Sequence, residues 1–408
     1  MNKQKILLLV LDGLGDRPDE RLNDQTPLEA ARTPYLNYMA ERGATGLLDV
    51  VGVGVRPGSD TAHLALLGYD PAKYYSGRGP IEAAGVGIAV GKGDVAFRAN
   101  FASIMGNGQV VDRRAGRIES VKAFEPALNK IKVPGFQFTF KAGCEHRGAL
   151  VVRGKGVSSE VNGNDPGVEG NREKEIKPTT SAPEAKATAA AVEAYLKQAR
   201  RCLANHPLNK KRRKQKLPLA NTILLRGAGA APELTPFKDK YGLDAAGIAG
   251  GGLYRGVAKT LGMDVINVNG ATGGKDSNIL AKINAAKTTL TRKDFIFVHV
   301  KGADDYGHDG DALGKKAFIE RVDAAVRELL TLENTVVAVT ADHSTPCQLK
   351  AHSGDPVPLL IYGKGVRRDC TRKFGERDCA VGGLGRLRGL DLMPELINVS
   401  GRAEIYGA

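Results

Sequence analysis

Three apolar runs in this chain each lead into an acidic residue, and no other feature restricts its fold so tightly. KILLLVL at residues 5–11 is followed by Asp12, and DFIFVHV at 294–300 by Asp304 after Lys-Gly-Ala. TVVAVT at 335–340 runs into Ala341-Asp342-His343. Short unbroken apolar runs bounded by turn residues read as buried strands. Two further strand signals lie at Thr222–Leu225 and Pro358–Tyr362. Helical spacing appears at Ala185–Leu203 and Lys315–Leu332, where Ala317, Ile319, Val322, Ala325, Val326 and Leu329 recur on one face. Strands alternating with helices predict an α/β fold with a mostly parallel sheet flanked by helices. Function in such sheets collects outside the carboxyl ends of the strands. The pattern therefore delivers three acids to one edge.

The middle of the chain has a different rhythm. Alternating, glycine-interrupted segments at Val95–Phe101, Gln109–Asp112, Phe136–Phe140 and Ala149–Val152 predict an antiparallel meander. Residues 155–184 are polar and read as a mobile surface loop. These shifts predict an inserted α+β domain at 97–239, large enough to act as a lid, interrupting an α/β domain made of 1–96 and 240–408.

Composition narrows the class. Apolar residues at 42% and charged residues at 25% are the balance of a soluble globular protein. No apolar stretch approaches the roughly 20 residues a membrane span needs. The basic and then apolar start resembles a signal peptide, but the run stops at Asp12 with no small-residue cleavage site. It reads as a first strand, and the protein as cytoplasmic. The five cysteines form no CxxC pair and are expected as free thiols in a reducing compartment. Much of the net charge of +14 sits between Lys197 and Lys216 and ends in KKRRKQK. No RNP-like aromatics or zinc-finger spacing accompany it, so it reads as a solvated basic loop or helix end rather than a nucleic-acid surface.

The acids have company suited to binding cations. Asp304 and His308 are four residues apart, so one helical turn can aim both at one ion. Asp342 and His343 are adjacent at a strand end, and His352 lies nine residues beyond His343. Carboxylates with imidazoles suit divalent metals, and two ions would clamp a transferring phosphoryl group. The segment RPGSDTAH supplies a nucleophile: Pro57-Gly58 sets a turn and Ser59 opens a helical segment, whose N-terminus offers N–H groups to phosphate. Taken singly, an acid after a strand reads as a helix cap and Ser59 as an N-cap. Their joint occurrence at strand ends favours a site.

Together these residues resemble the alkaline-phosphatase superfamily. More narrowly, the chain resembles the archaeal type of 2,3-bisphosphoglycerate-independent phosphoglycerate mutase. The motifs are VLDGLGDRP, PGSDTAHLALLGYDP, GRGPIEAAGVGI, EHRGALVVRG, ANTILLRGAG, HVKGADDYGHDGD, TADHSTP and HSGDPVP, in family order over nearly the whole chain. The resemblance implies an alkaline-phosphatase-like fold and a phosphoserine at Ser59. It implies one manganese-type ion on Asp12, Ser59, Asp342 and His343, and another on Asp304, His308 and His352; Mg2+, Co2+ and Zn2+ are alternatives to Mn2+. The implied reaction interconverts 3-phosphoglycerate and 2-phosphoglycerate, with the insert holding the substrate. Arg113, Arg117, His146, Arg147 and Arg226 are the candidates there, because guanidinium forks suit carboxylate and phosphate. One departure is Gly167, where the family usually has histidine after Asp-Pro. The alternatives are another enzyme of the superfamily (a phosphatase, a phosphopentomutase or a homoserine-kinase-like paralogue) and a non-catalytic nucleic-acid-binding protein using residues 210–216.

Overall fold

Residues 6–11 are at most 1% exposed, and a strand can hide both faces only in the middle of a sheet. In the computed structural model, which describes residues 3–405 and 407, strand Lys5–Leu11 lies between Phe295–Val300 and Thr335–Thr340, parallel to both. Among the described residues the sheet has eight strands. They run in the order Gly385–Arg388, Ala44–Asp49, Val357–Tyr362, Thr335–Thr340, Lys5–Leu11, Phe295–Val300, Ala245–Ile248 and Asp264–Val265. All pairings are parallel except where Val357–Tyr362 runs against its two neighbours. The expected mostly parallel α/β architecture is the one found.

Register explains why the acids meet. Leu11 pairs with Val300, and Val10 with Thr340. The three strands therefore end level, and Asp12, Asp304 and Asp342 all emerge at that edge. Gly13 follows Asp12 with φ +69, and a Cβ there would lie 2.6 Å from the Asp304 Cα. Only glycine permits both the left-handed turn and the close approach.

By contacts the chain divides into two compact units, one running to Tyr74 and again from Thr235, the other Tyr75–Leu234. Within the second, Val95–Ile104 pairs with Val110–Asp112, Arg147–Gly154 and Thr222–Ala230, and Arg147–Gly154 pairs with Phe136–Ala142, all antiparallel. Alternation along Val95–Ile104 sorts its two faces. Phe97, Ala99 and Phe101 join the core under helix Pro183–Asn205, where Val192, Tyr195, Leu196 and Ala199 are buried. Ala96 points to the other face and packs with Ala83 of helix Arg78–Val86. That helix lies on the sheet of the second unit, so the division falls at 74/75, ahead of the change in sequence pattern near 97.

One local expectation changes, and the basic run is a helix end as expected, with one exception. Residues 155–182 contain no helix or strand, but they are not loosely held. Val161 and Ile176 enter the core. Asn164 is fully buried, its amide donating to Ile223 O and its oxygen accepting from Leu225 N–H. The polar composition concealed these anchors. The basic run forms helix Pro207–Lys214, and one of its charges is structural: Arg212 turns inward and donates to Pro218 O and Ala115 O. All five cysteines are free, with Cys347 and Cys379 buried. Among the described residues, no helix is long and apolar enough to cross a membrane.

Candidate active site

Asp12 and Asp342 at the strand edge are each held by one oxygen and present the other. Asp12 is fully buried, and its Oδ2 accepts from the Tyr254 hydroxyl and from His299 Nε2 at 3.0 Å. Its Oδ1 has no hydrogen-bond partner and lies 3.5 Å from His343 Nε2. Asp342 Oδ1 accepts the Gly13 N–H at 3.1 Å. Its Oδ2 also lacks a hydrogen-bond partner, 3.2 Å from His343 Nε2. Asp304 Oδ2 takes the Lys301 ammonium, while Oδ1 faces His308 Nε2 at 3.3 Å and His352 Nε2 at 3.5 Å. Ser59 opens helix Ser59–Leu66 with its Oγ 3.3 Å from His343 Nε2, and the His63 imidazole Nδ1 anchors the Ser59 carbonyl at 2.6 Å.

The histidines share an orientation. His308 Nδ1 lies 3.0 Å from Lys350 O, and His352 Nδ1 lies 3.0 Å from Pro57 O. A carbonyl only accepts, so both rings carry a proton on Nδ1 and turn Nε2 toward Asp304. Outward Nδ1–H with inward Nε2 is the arrangement of metal-binding imidazoles.

Electrostatics marks the same place. Burial and the neighbouring Asp12 and Asp304 push the Asp342 carboxyl well above its ordinary range. For Asp12, burial acts upward too, but Lys301 and His299 outweigh it and hold the carboxyl below the ordinary range. Burial takes His343 down to about 3, leaving it neutral. Three carboxylates crowd one buried spot, with Lys301 as the nearby fixed cation. Buried anions so placed call for positive charge. Two sets of ligand-type atoms lie within 4.8 Å of one another among the described residues: Asp12, Asp342 and His343, and Asp304, His343 and His352.

In the second unit, the Arg113 guanidinium grips Asp165, its Nη2 at 2.9 and 2.8 Å from the two carboxylate oxygens. Arg226 reaches the same carboxylate at 3.8 Å. Arg98 is the cross-strand partner of Arg226 and stands 3.6 Å from Glu82, which also pairs with Arg78 at 2.9 Å. Burial and Arg78 lower the Arg98 guanidinium to about 9. Arg147 pairs across the sheet with Asn100, and Arg117 lines a depression with Arg113 and Arg114. The structure thus joins Arg113 and Arg226 through Asp165, and leaves Arg117 exposed at that depression. Gly167 has φ +88 and donates its N–H to Asp165 Oδ1, a backbone conformation that strains histidine.

His146 is buried, its Nδ1 lacks a hydrogen-bond partner, and burial with Arg147 and Arg114 lowers it to about 3. Unfolded histidine titrates near 6.5. Between these values the unfolded chain binds the extra proton, so stability is lost as pH falls below about 6.5. His146→Gln cannot take that proton. On going from pH 7 to pH 5, the melting temperature of the variant relative to wild type is expected to rise by about 3 °C. A pH-independent difference by scanning calorimetry would rule out a neutral buried His146.

Residue patterns missed Tyr254, His299, His63, Lys301 and Arg98. His299 and Arg98 sit inside apolar strand runs, which hid them. Lys301 stood between the strand run at 294–300 and Asp304 and was the one readable signal.

A family model described as 2,3-bisphosphoglycerate-independent phosphoglycerate mutase matches residues 40–209. A protein of that name from Methanoculleus marisnigri is 46% identical, with 100% of both chains covered. Another, numbered 1 in Archaeoglobus fulgidus, is 48% identical over 99% of this chain and 100% of its own. Among solved structures, a Pyrococcus horikoshii protein superposes with a TM-score of 0.88 at 39% identity, covering 100% of each chain. The cofactor-independent phosphoglycerate mutase of Thermoplasma acidophilum gives a TM-score of 0.72 at 38% identity, over 98% of this chain and 100% of its own.

Proposed function

The chain belongs to the 2,3-bisphosphoglycerate-independent phosphoglycerate mutases, and on that premise we propose that it interconverts 3-phosphoglycerate and 2-phosphoglycerate through a phosphoserine at Ser59. The observation that carries this reading is identity of 46–48% along the whole chain to proteins of that name. A Ser59 hydroxyl 3.3 Å from His343 Nε2, an atom that also faces Asp12 and Asp342, supports it.

The donor set fits divalent cations, because Asp12 Oδ1 and Asp342 Oδ2 are buried without a hydrogen-bond partner and converge on His343. Asp12, Ser59, Asp342 and His343 would hold one ion, and Asp304, His308 and His352 the other. Manganese is the proposed metal, since mixed carboxylate and imidazole ligands suit it. When bound, the ions supply positive charge to the transferring phosphoryl group and lower the pKa of the Ser59 hydroxyl.

The chain's own residues do the rest. Ser59 Oγ loses its proton and bonds to phosphorus as the bond from phosphorus to the substrate's C3 oxygen breaks. The C3 oxygen regains a proton; the C2 hydroxyl then loses its proton and bonds to phosphorus as the bond from phosphorus to Ser59 Oγ breaks and Oγ is reprotonated. The N-terminal N–H groups of helix Ser59–Leu66 suit the phosphoryl oxygens. Lys301, half-buried beside Asp12, Asp304 and Asp305, offers a further cation to the phosphate. Tyr254 and His299 hold Asp12 Oδ2 and so aim Oδ1. Arg113, Arg117, His146, Arg147 and Arg226, joined by Arg98, are proposed to receive the substrate's anionic groups in the second unit.

The test is conversion of 3-phosphoglycerate, coupled to enolase and run without added 2,3-bisphosphoglycerate. Release of free phosphate without 2-phosphoglycerate would mean a phosphatase instead. Arg226→Ala and Arg98→Gln are each expected to raise KM about 10- to 100-fold, the worth of a hydrogen bond to a charged group. Unchanged KM in both variants would remove the arginine cluster from substrate binding.

A further inference from the structure

One side chain that the reaction scheme leaves unused links the two candidate ligand sets. Thr345 is fully buried two residues beyond His343. Its Oγ1 lies 2.9 Å from Asp304 Oδ1 and 3.0 Å from His343 Nδ1. A hydroxyl has a single hydrogen and a carboxylate only accepts, so that hydrogen goes to Asp304. The contact with His343 must then run the other way, with Nδ1–H donating to the threonine oxygen. In a neutral imidazole this leaves Nε2 unprotonated. Nε2 is the atom that faces Asp342 Oδ2, Asp12 Oδ1 and Ser59 Oγ.

We propose that Thr345 is a positioning residue that fixes the Nδ1–H tautomer of His343 and so aims the Nε2 lone pair at a divalent cation. The proposal rests on the two-ion reading above and deepens it. His308 and His352 take their tautomers from backbone carbonyls, which no substitution removes. His343 takes its own from a side chain. That side chain is itself braced. The Thr345 N–H donates to Gly15 O at 2.9 Å, and its carbonyl accepts from Lys315 Nζ at 3.1 Å. The same buried ammonium holds Gly15 O at 3.1 Å and Asp16 Oδ2 at 2.7 Å. Lys315 thereby joins the loop after Asp12 to the loop after His343. Without the hydroxyl, the ring gains by moving its proton to Nε2, where Asp342 Oδ2 accepts it and the lone pair is lost to metal.

Thr345→Val removes the hydroxyl at nearly constant shape, and Thr345→Ser restores it. Titrating the full-length chain with Mn2+ in a calorimeter, Thr345→Val is expected to bind about 10- to 100-fold more weakly and Thr345→Ser within about threefold of wild type. Nitrogen NMR of histidine-labelled, metal-free protein reads the tautomer directly. Wild type and Thr345→Ser should carry the His343 proton on Nδ1, and Thr345→Val on Nε2. A purely structural threonine would change the melting temperature without moving that proton. Wild-type His343 protonated on Nε2 overturns the proposal, as does Thr345→Val binding Mn2+ as tightly as wild type. If Thr345→Val does not fold, the wild-type tautomer still decides. If wild type binds no divalent ion, the two-ion reading fails, while the NMR result stands on its own.

Discussion

Ser59→Ala is expected to lower interconversion of the two phosphoglycerates by at least about a thousandfold, because removing a nucleophile removes the covalent route altogether. It should equally abolish any release of phosphate to water, since both outcomes need the same phosphoenzyme. The fold should survive. The N-cap of helix Ser59–Leu66 is Gly58, and no side-chain hydrogen bond caps that helix. The Ser59 hydroxyl contacts His343 Nε2 at 3.3 Å, so alanine leaves an inward-facing imidazole rather than a broken helix. Two measurements check the result. The coupled assay reads turnover, and incubation with substrate labelled in its phosphate reads covalent label on the chain. Wild type should retain label at Ser59 and the variant none. Turnover in the alanine variant at a tenth of wild type or more would rule out the phosphoserine route.

Removing metal should have an effect of similar size. Activity after chelation is expected to fall below about 1% and to return with Mn2+, as the ligand set mixes carboxylates with imidazoles. Metal should also stabilise the fold. An ion present at about a hundred times its dissociation constant adds about 2.7 kcal/mol, so the melting temperature should rise on titration. Asp342→Asn separates the two consequences. Its Oδ1 can still accept from the Gly13 N–H, while a carboxyl that burial, Asp12 and Asp304 already disfavour in its charged form is gone. The metal-free variant should therefore melt no lower than metal-free wild type, yet fail to recover activity with Mn2+. Such a trade of activity against stability is common where like charges are crowded for function. Full activity in a chelated sample would sink the two-ion reading.

The legible parts of the site were those that carry a local signal. Asp12, Asp304 and Asp342 each follow a mostly apolar run within four residues, and a parallel sheet has one functional edge. Strand identity alone therefore implied that they meet. His308 was legible because one helical turn separates it from Asp304, and Ser59 because Pro57-Gly58 marks a turn before a helix. The polar segment 155–182 misled for a physical reason. Composition measures solubility, whereas Asn164 is fixed by two hydrogen bonds to a distant strand.

The order of residues along the chain determined which strands are central, which face of each is buried, and which acids leave their carboxyl ends. Those properties depend on alternation, run length and turn chemistry within a few residues. Only the tertiary structure decided what surrounds the acids. Tyr254 and His299 hold one oxygen of Asp12, Thr345 sits between Asp304 and His343, and Arg98 stands across from Arg226. These partners come from separate strands, helices and loops, with register rather than spacing bringing them together. A hydrogen bond acts over about 3 Å in space, and no pattern along a chain encodes that distance.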